Sequence, residues 1–228
     1  MPEISHRLQQ IYQEILDYEE EFNRKGNSVI IIAVSKTKPT SDIVEACKYG
    51  QTQFGESYLQ EALEKITQLK GSNIEWHFVG PIQSNKTRDI AENFAWVHGI
   101  DRIKIAQRLN DQRPDNFPPL QVLIQVNTSN ETNKSGCSFE ELETLASAIQ
   151  SLPHLRLRGL MTLPVKTKDF EQQRIPFRQL HDAMNKLNDN GYALDTLSMG
   201  MSGDIRAAIA EGATMVRIGT AIFGERKK

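Results

Sequence analysis

Val29-Ile30-Ile31-Ile32-Ala33-Val34-Ser35-Lys36-Thr37-Lys38-Pro39 is the stretch on which the reading of this chain turns. Val29 to Ile32 are consecutive β-branched residues and Val34 follows closely. That is the pattern of a strand buried on both faces, as in a parallel sheet. Pro39 lacks a backbone donor and favours an extended or turning chain. Parallel α/β folds bind their ligands at the carboxyl ends of strands, which is where Lys36 stands. The apolar run before it predicts a partly desolvated stem, and burial makes an amine a better nucleophile toward an aldehyde. The bland alternative is a lysine at the mouth of a barrel, pointing to water.

Upstream of this strand, Ile4, Leu8, Ile11, Tyr12, Ile15, Leu16 and Phe22 recur at helical spacing, and Gly26-Asn27-Ser28 ends the helix. Downstream, further strands are expected at 52–55, 75–80, 95–98, 120–126, 155–160, 193–197 and 214–218. Helical segments fall between them, at 58–69, 84–94, 138–150, 169–188 and 204–210. Asp42 with Glu45 reads as a helix start with Gly50 as its stop, and Asp101 as the cap of a helix ending near Arg113-Pro114. Ser138 and Glu141 make a capping box, after a polar loop over 128–136. With the opening strand this gives eight βα units without a linker. They predict one domain over 1–228, a (β/α)8 TIM-type barrel with an extra N-terminal helix; an open doubly wound sheet is the alternative.

The chain has 228 residues, a net charge of −2 and a pI near 6.2, which give no electrostatic reason to expect nucleic acid or an anionic membrane. No apolar run approaches the roughly 18 residues of a membrane span, and no signal core opens the chain. Cys47 and Cys137 form no disulfide framework and no zinc spacing. A cytoplasmic protein is expected.

If the barrel closes, its strand ends name the site: Lys36, Glu56, His77, Asn127, Met161, Ser198 and Arg217. Glu56 is expected to be solvated or to serve as a base. His77 is expected half-buried, bonded to a neighbouring strand end and not to a metal. Cys47 reads as a small core residue; Cys137, at a loop-to-helix start, could be reactive. Val216-Arg217-Ile218-Gly219-Thr220 resembles a phosphate site, because barrels bind phosphate after strands seven and eight. Ser198-Met199-Gly200-Met201-Ser202-Gly203-Asp204 adds small donors ahead of a helix. A lysine facing such a cradle suggests pyridoxal 5′-phosphate held as a Schiff base, with Arg217 opposite the pyridine nitrogen. Gly80-Pro81-Ile82-Gln83-Ser84-Asn85-Lys86-Thr87 nearly matches a nucleotide-binding loop, but Asn85 replaces its second glycine. A structural turn is the better reading.

Taken in order, Ala33-Val34-Ser35-Lys36-Thr37-Lys38-Pro39, Phe54-Gly55-Glu56, Trp76 to Lys86, Gly159-Leu160-Met161, Ser198 to Ser202 and Val216 to Thr220 closely resemble the pyridoxal-phosphate homeostasis family. The resemblance covers nearly the whole chain. It implies a barrel like the N-terminal domain of alanine racemase, with pyridoxal phosphate on Lys36, Arg217 near the ring nitrogen, and phosphate contacts from Ser202, Gly219 and Thr220. It implies a carrier or regulator of vitamin B6 pools and linked amino-acid and keto-acid metabolism, without an established enzymatic turnover; a monomer is expected. Its partners would be pyridoxal phosphate, other B6 vitamers and cofactor-free enzymes that receive them. Lys38 would be a helper or a solvated neighbour. Where the family usually shows asparagine before the tyrosine, this chain has Ser57 before Tyr58. The competing reading is an amino-acid racemase, which needs a base on each cofactor face. Of the tyrosines at 12, 18, 49, 58 and 192, only Tyr58 lies near a strand end.

Overall fold

The β-branched run forms β1 (Ile30–Val34) in the computed structural model, which describes residues 3–129 and 135–225. Beside it, in chain order, stand β2 (Gln53–Glu56), β3 (Glu75–Phe78), β4 (Trp96–Ile100), β5 (Leu120–Gln125), β6 (Leu155–Met161), β7 (Thr196–Ser198) and β8 (Met215–Ile218). All pairings are parallel, and β8 returns to β1 with Ile32 opposite Arg217 and Ala33 opposite Ile218. That closes the barrel and removes the open-sheet alternative.

Alternation along β1 separates two apolar regions. Ile31 and Ala33 belong to the layer between strands and helices, whereas Ile32 packs inside the barrel with Trp96, Leu123, Met161 and Met215. Outside lie α1 (Glu3–Glu21), α2 (Thr40–Lys48), α3 (Leu59–Gln68), α4 (Thr87–Asn93), α5 (Ile103–Gln112), α6 (Phe139–Gln150), α7 (Phe170–Asp189), α8 (Ile205–Ala210) and α9 (Thr220–Phe223). The first of these buries Ile4, Leu8, Ile11 and Ile15 on one face, each side chain contributing about 1.5–3 kcal/mol. It also buries Glu19, whose carboxylate accepts the backbone N–H groups of Asn27, Ser28 and Val29. The extra helix is thereby tied to the entry of β1.

Helix starts follow local chemistry in part. Ser138 and Glu141 form the expected capping box, and Asp169 accepts from the Gln172 N–H. The other two expected caps are corrected. Helix α2 starts earlier, behind Pro39, leaving Asp42 inside its first turn, where a negative charge still favours the helix dipole. Asp101 pairs with Arg102, which itself takes the position before α5. In the near-miss nucleotide loop, Ser84–Lys86 form a single 3-10 turn, and the Thr87 hydroxyl is spent on the Ser84 carbonyl. Residues 130–134 of the expected polar loop lie outside the described residues. No helix among the described residues is long and apolar enough to cross a membrane.

Candidate functional site

Lys36 sits two residues past the end of β1, in a turn, and the residue after it, Thr37, has φ +65. A β-branched residue pays for that left-handed geometry, so surrounding bonds must impose it. They come from α3. The Thr37 N–H donates to Glu61 Oε1 at 2.5 Å, and Lys65 Nζ donates to the Ser35 carbonyl at 2.7 Å. Lys65 also pairs with Glu56 at 2.8 Å and Glu61 at 2.5 Å, while the Ser35 hydroxyl donates to Glu56 at 2.7 Å. The residues on both sides of Lys36 are thus held by one cluster.

Glu56 is fully buried in that cluster, which corrects the expectation of a solvated carboxylate. It lies on the outer face of β2, where α3 covers it and Lys65 meets it. Burial pushes its carboxyl above the usual carboxylate range, and the Lys65 and Ser35 hydrogen bonds pull the other way. Lys38 is not simply a solvated neighbour. Its ammonium donates to the carbonyls of Phe223, Gly224 and Glu225 at 2.9–3.0 Å, fastening the end of α9 beside β1.

Arg217, in β8, points into the barrel and is 5 % exposed. Its guanidinium donates to the Ser198 carbonyl at 2.7 Å, the Ser198 hydroxyl at 2.6 Å and the Thr162 carbonyl at 2.8 Å. Burial lowers its pKa to about 10, so the cation persists at neutral pH. Among the described residues no carboxylate lies within ion-pair distance of it. Neutral oxygens make its hydrogen bonds, and Asp204 acts on it only from beyond ion-pair distance.

Gly219 and Thr220 follow directly, at the start of α9. A Cβ on Gly219 would stand 3.1 Å from the Val34 carbonyl, so a larger residue would crowd β1 just before Lys36. The first N–H groups of a helix have no carbonyl within it to bond, and here they belong to Thr220 and its neighbour. Ser202 lies in the exposed turn between β7 and α8, and that turn is folded back by the Arg217 N–H donating to Gly200 O. Gly200 takes φ +97, with Ala208 Cβ 2.6 Å from where its own Cβ would stand. Lys36, Arg217, Gly219, Thr220 and Ser202 therefore all belong to the β7–β8–β1 side of one barrel end. Tyr58, half exposed, brings its ring centroid 6.0 Å from Lys36 Nζ.

The remaining strand-end residues separate. Met161 packs inside the barrel, and Asn127 accepts from Ser129 through its side chain. His77 is wholly buried, not half-buried, and bonds His98 and Gln53 within the barrel. Cys137 is buried and its thiol is pushed up to about 12, chiefly by burial, which makes it inert. The sequence reading missed Lys65, Glu61, His98 and Thr162. An outward-facing glutamate on a strand that a helix must cover was the available signal for the first.

A model of the family described as "Alanine racemase, N-terminal domain" matches residues 8–227. The chain is 53% identical to the "Pyridoxal phosphate homeostasis protein" of Vibrio alginolyticus, over 99% of each chain. PipY of Synechococcus elongatus, a structure with PLP bound, superposes with a TM-score of 0.85 at 32% identity, covering 97% of this chain and 100% of that one. Alanine racemase from Corynebacterium glutamicum shares the fold at a TM-score of 0.68 and 20% identity, across 97% of this chain and 60% of that one. The chain belongs to the pyridoxal phosphate homeostasis family, whose barrel is that of the alanine racemase N-terminal domain.

Proposed function

We propose that this protein binds pyridoxal 5′-phosphate at the carboxyl end of its barrel, covalently through Lys36 Nζ, and serves intracellular vitamin B6 homeostasis. The donor set fits that group: an amine for its aldehyde, a buried cation for the ring side, and hydroxyl and backbone N–H donors for its phosphate. The observation that carries the reading is Arg217, a buried guanidinium held by neutral oxygens on the strand next to the Lys36 strand. A pyridine ring accepting from a fixed guanidinium is disfavoured from taking up a proton, which weakens it as an electron sink. The cofactor, when bound, supplies a reactive aldehyde; the chain's residues store and orient it.

Lys36 serves as the attachment point because the Ser35 and Thr37 backbone on either side of it is held from α3, fixing where its side chain starts. Ser202, Gly219 and Thr220 cradle the phosphate. Carriage, not turnover, is the role this arrangement favours. Racemisation needs a second base opposite the lysine, and the nearby phenol, Tyr58, is half exposed and lies with its ring beside Lys36 Nζ. Free Cys47 and Cys137 fit a reducing, cytoplasmic setting. The protein works as a monomeric, one-domain carrier passing the cofactor or related vitamers to cofactor-free enzymes, and through them touches amino-acid and keto-acid metabolism.

Purified protein mixed with pyridoxal phosphate should develop the visible band of a lysine-bound cofactor, and Lys36→Ala should abolish it. A Lys36→Ala protein that is folded and retains the band would overturn the assignment.

A further inference from the structure

A chain of polar side chains crosses the barrel interior from Arg217 toward its opposite end. Arg217 Nη1 lies 2.6 Å from Ser198 Oγ, and Ser198 Oγ lies 2.9 Å from His98 Nδ1. His98 Nε2 is 2.9 Å from His77 Nδ1, and His77 Nε2 is 2.5 Å from Gln53 Oε1. Ser198, His98 and His77 are wholly buried. The rings meet edge to face, and His77 stacks on Trp96. Such a chain inside a barrel, where aliphatic side chains usually fill the layers, calls for a reason.

Its ends determine its direction. A guanidinium only donates, so Ser198 Oγ accepts from Arg217 and sends its own proton to His98 Nδ1. His98 must then carry its proton on Nε2 and donate to His77 Nδ1. His77 in turn carries its proton on Nε2, where it meets two oxygens: Gln53 Oε1, and Glu75 Oε1 at 3.8 Å. The reverse direction would aim two donors at Ser198 Oγ and leave the His77 lone pair facing those two oxygens. With the Gln53 amide oxygen toward His77, the forward arrangement satisfies every member with both imidazoles neutral, whereas the reverse also leaves the Ser198 hydroxyl proton without an acceptor in the chain.

We propose that His98 and His77 are positioning residues for Arg217, and that their fixed tautomers oblige Ser198 to offer a lone pair to the guanidinium and hold it in one orientation beneath the site. This deepens the function proposed above and rests on it for its effect on the cofactor, though not for the chain itself. Neutrality follows from the surroundings. Burial drives both imidazoles well below their ordinary value, and Arg217 and the neighbouring ring add to the effect on His98. The charged groups facing the chain are Arg217 from β8, with Asp204 acting on it from the turn before α8, and Glu75 from β3.

The chain can be read without cofactor. In cofactor-free protein with nitrogen-15-labelled histidine, His98 and His77 should both appear as neutral, Nε2-protonated rings that do not titrate between about pH 5 and 9. An Nδ1-protonated ring at either position, or titration in that range, overturns the proposal. In protein loaded with pyridoxal phosphate, His98→Phe should raise the pH midpoint of the visible band and speed cofactor release roughly tenfold, the scale of about one hydrogen bond, because Ser198 loses the acceptor that fixes its hydroxyl. His98→Gln, which can accept with its oxygen and donate with its nitrogen, should restore both. Ser198→Ala removes a single oxygen and should reproduce the His98→Phe effects, which keeps the test open if the phenylalanine variant misfolds. Unchanged midpoint and release in Ser198→Ala refute the positioning role. Correct tautomers in a wild-type protein that forms no band would refute the proposed function and leave the chain standing.

Discussion

Replacing Lys65 with methionine keeps an unbranched apolar stem of four heavy atoms and deletes the charged ammonium. In the folded protein this ammonium donates to the Ser35 carbonyl, Glu56 and Glu61. Its removal leaves Glu56 wholly buried with no cation beside it, and one of that carboxylate's oxygens already lacks a hydrogen-bond partner. Breaking a buried pair from one side costs about 3–5 kcal/mol. That is a large share of the roughly 5–15 kcal/mol by which a domain of ordinary stability is folded. The loss should depend on pH. Burial already holds the Glu56 carboxyl above its unfolded value, with Lys65 opposing the shift. The folded state therefore binds that proton more tightly than the unfolded chain, and stability falls as pH rises from the unfolded toward the folded value. Without Lys65 the folded value moves higher and the interval widens. Urea unfolding across a pH series should show Lys65→Met weakest at neutral and alkaline pH and closest to wild type in acid. Adding Glu56→Gln should recover most of the neutral-pH loss. A deficit independent of pH, or a double variant no better than the single one, would refute this account of the cluster.

Two further outcomes bear on the site. Ser202→Ala combined with Thr220→Ala should speed cofactor loss and weaken competition by free inorganic phosphate, measured by dialysis and the visible band; unchanged competition would mean that the phosphate is held elsewhere. Cys137 should resist thiol reagents at neutral pH in the native protein and react on unfolding, because burial holds its thiol at about 12; rapid labelling of the folded chain would contradict that environment.

The architecture was legible because its signals are local. A run of β-branched residues reads as a buried strand wherever it stands, and Lys36 needed only its place at the end of β1 to be noticed. Ser138 with Glu141 is a contact across three residues, and it forms as read. What stayed hidden depends on register and on which layer covers a strand. Glu56 points outward from β2, a direction that suggests water until α3 is laid over it with Lys65 on its inner face. His77 and His98 stand 21 residues apart, one βα unit, and only parallel pairing and inward parity bring the two rings together. Lys38 resembled a second reactive lysine by sequence; the end of α9 takes it up through three backbone carbonyls that no side-chain pattern announces. The lysine proposed to carry the cofactor was thus noticeable from the strand that precedes it. Its supports lie on α3, β4, β7 and the end of α9.

The central claim is that Lys36 holds pyridoxal phosphate covalently. Borohydride reduction of the loaded protein, followed by proteolysis and mass spectrometry, tests it most directly. The account predicts one pyridoxyl group, on Lys36, with Lys38 and Lys65 unmodified. An adduct on either of those lysines and none on Lys36 would contradict it.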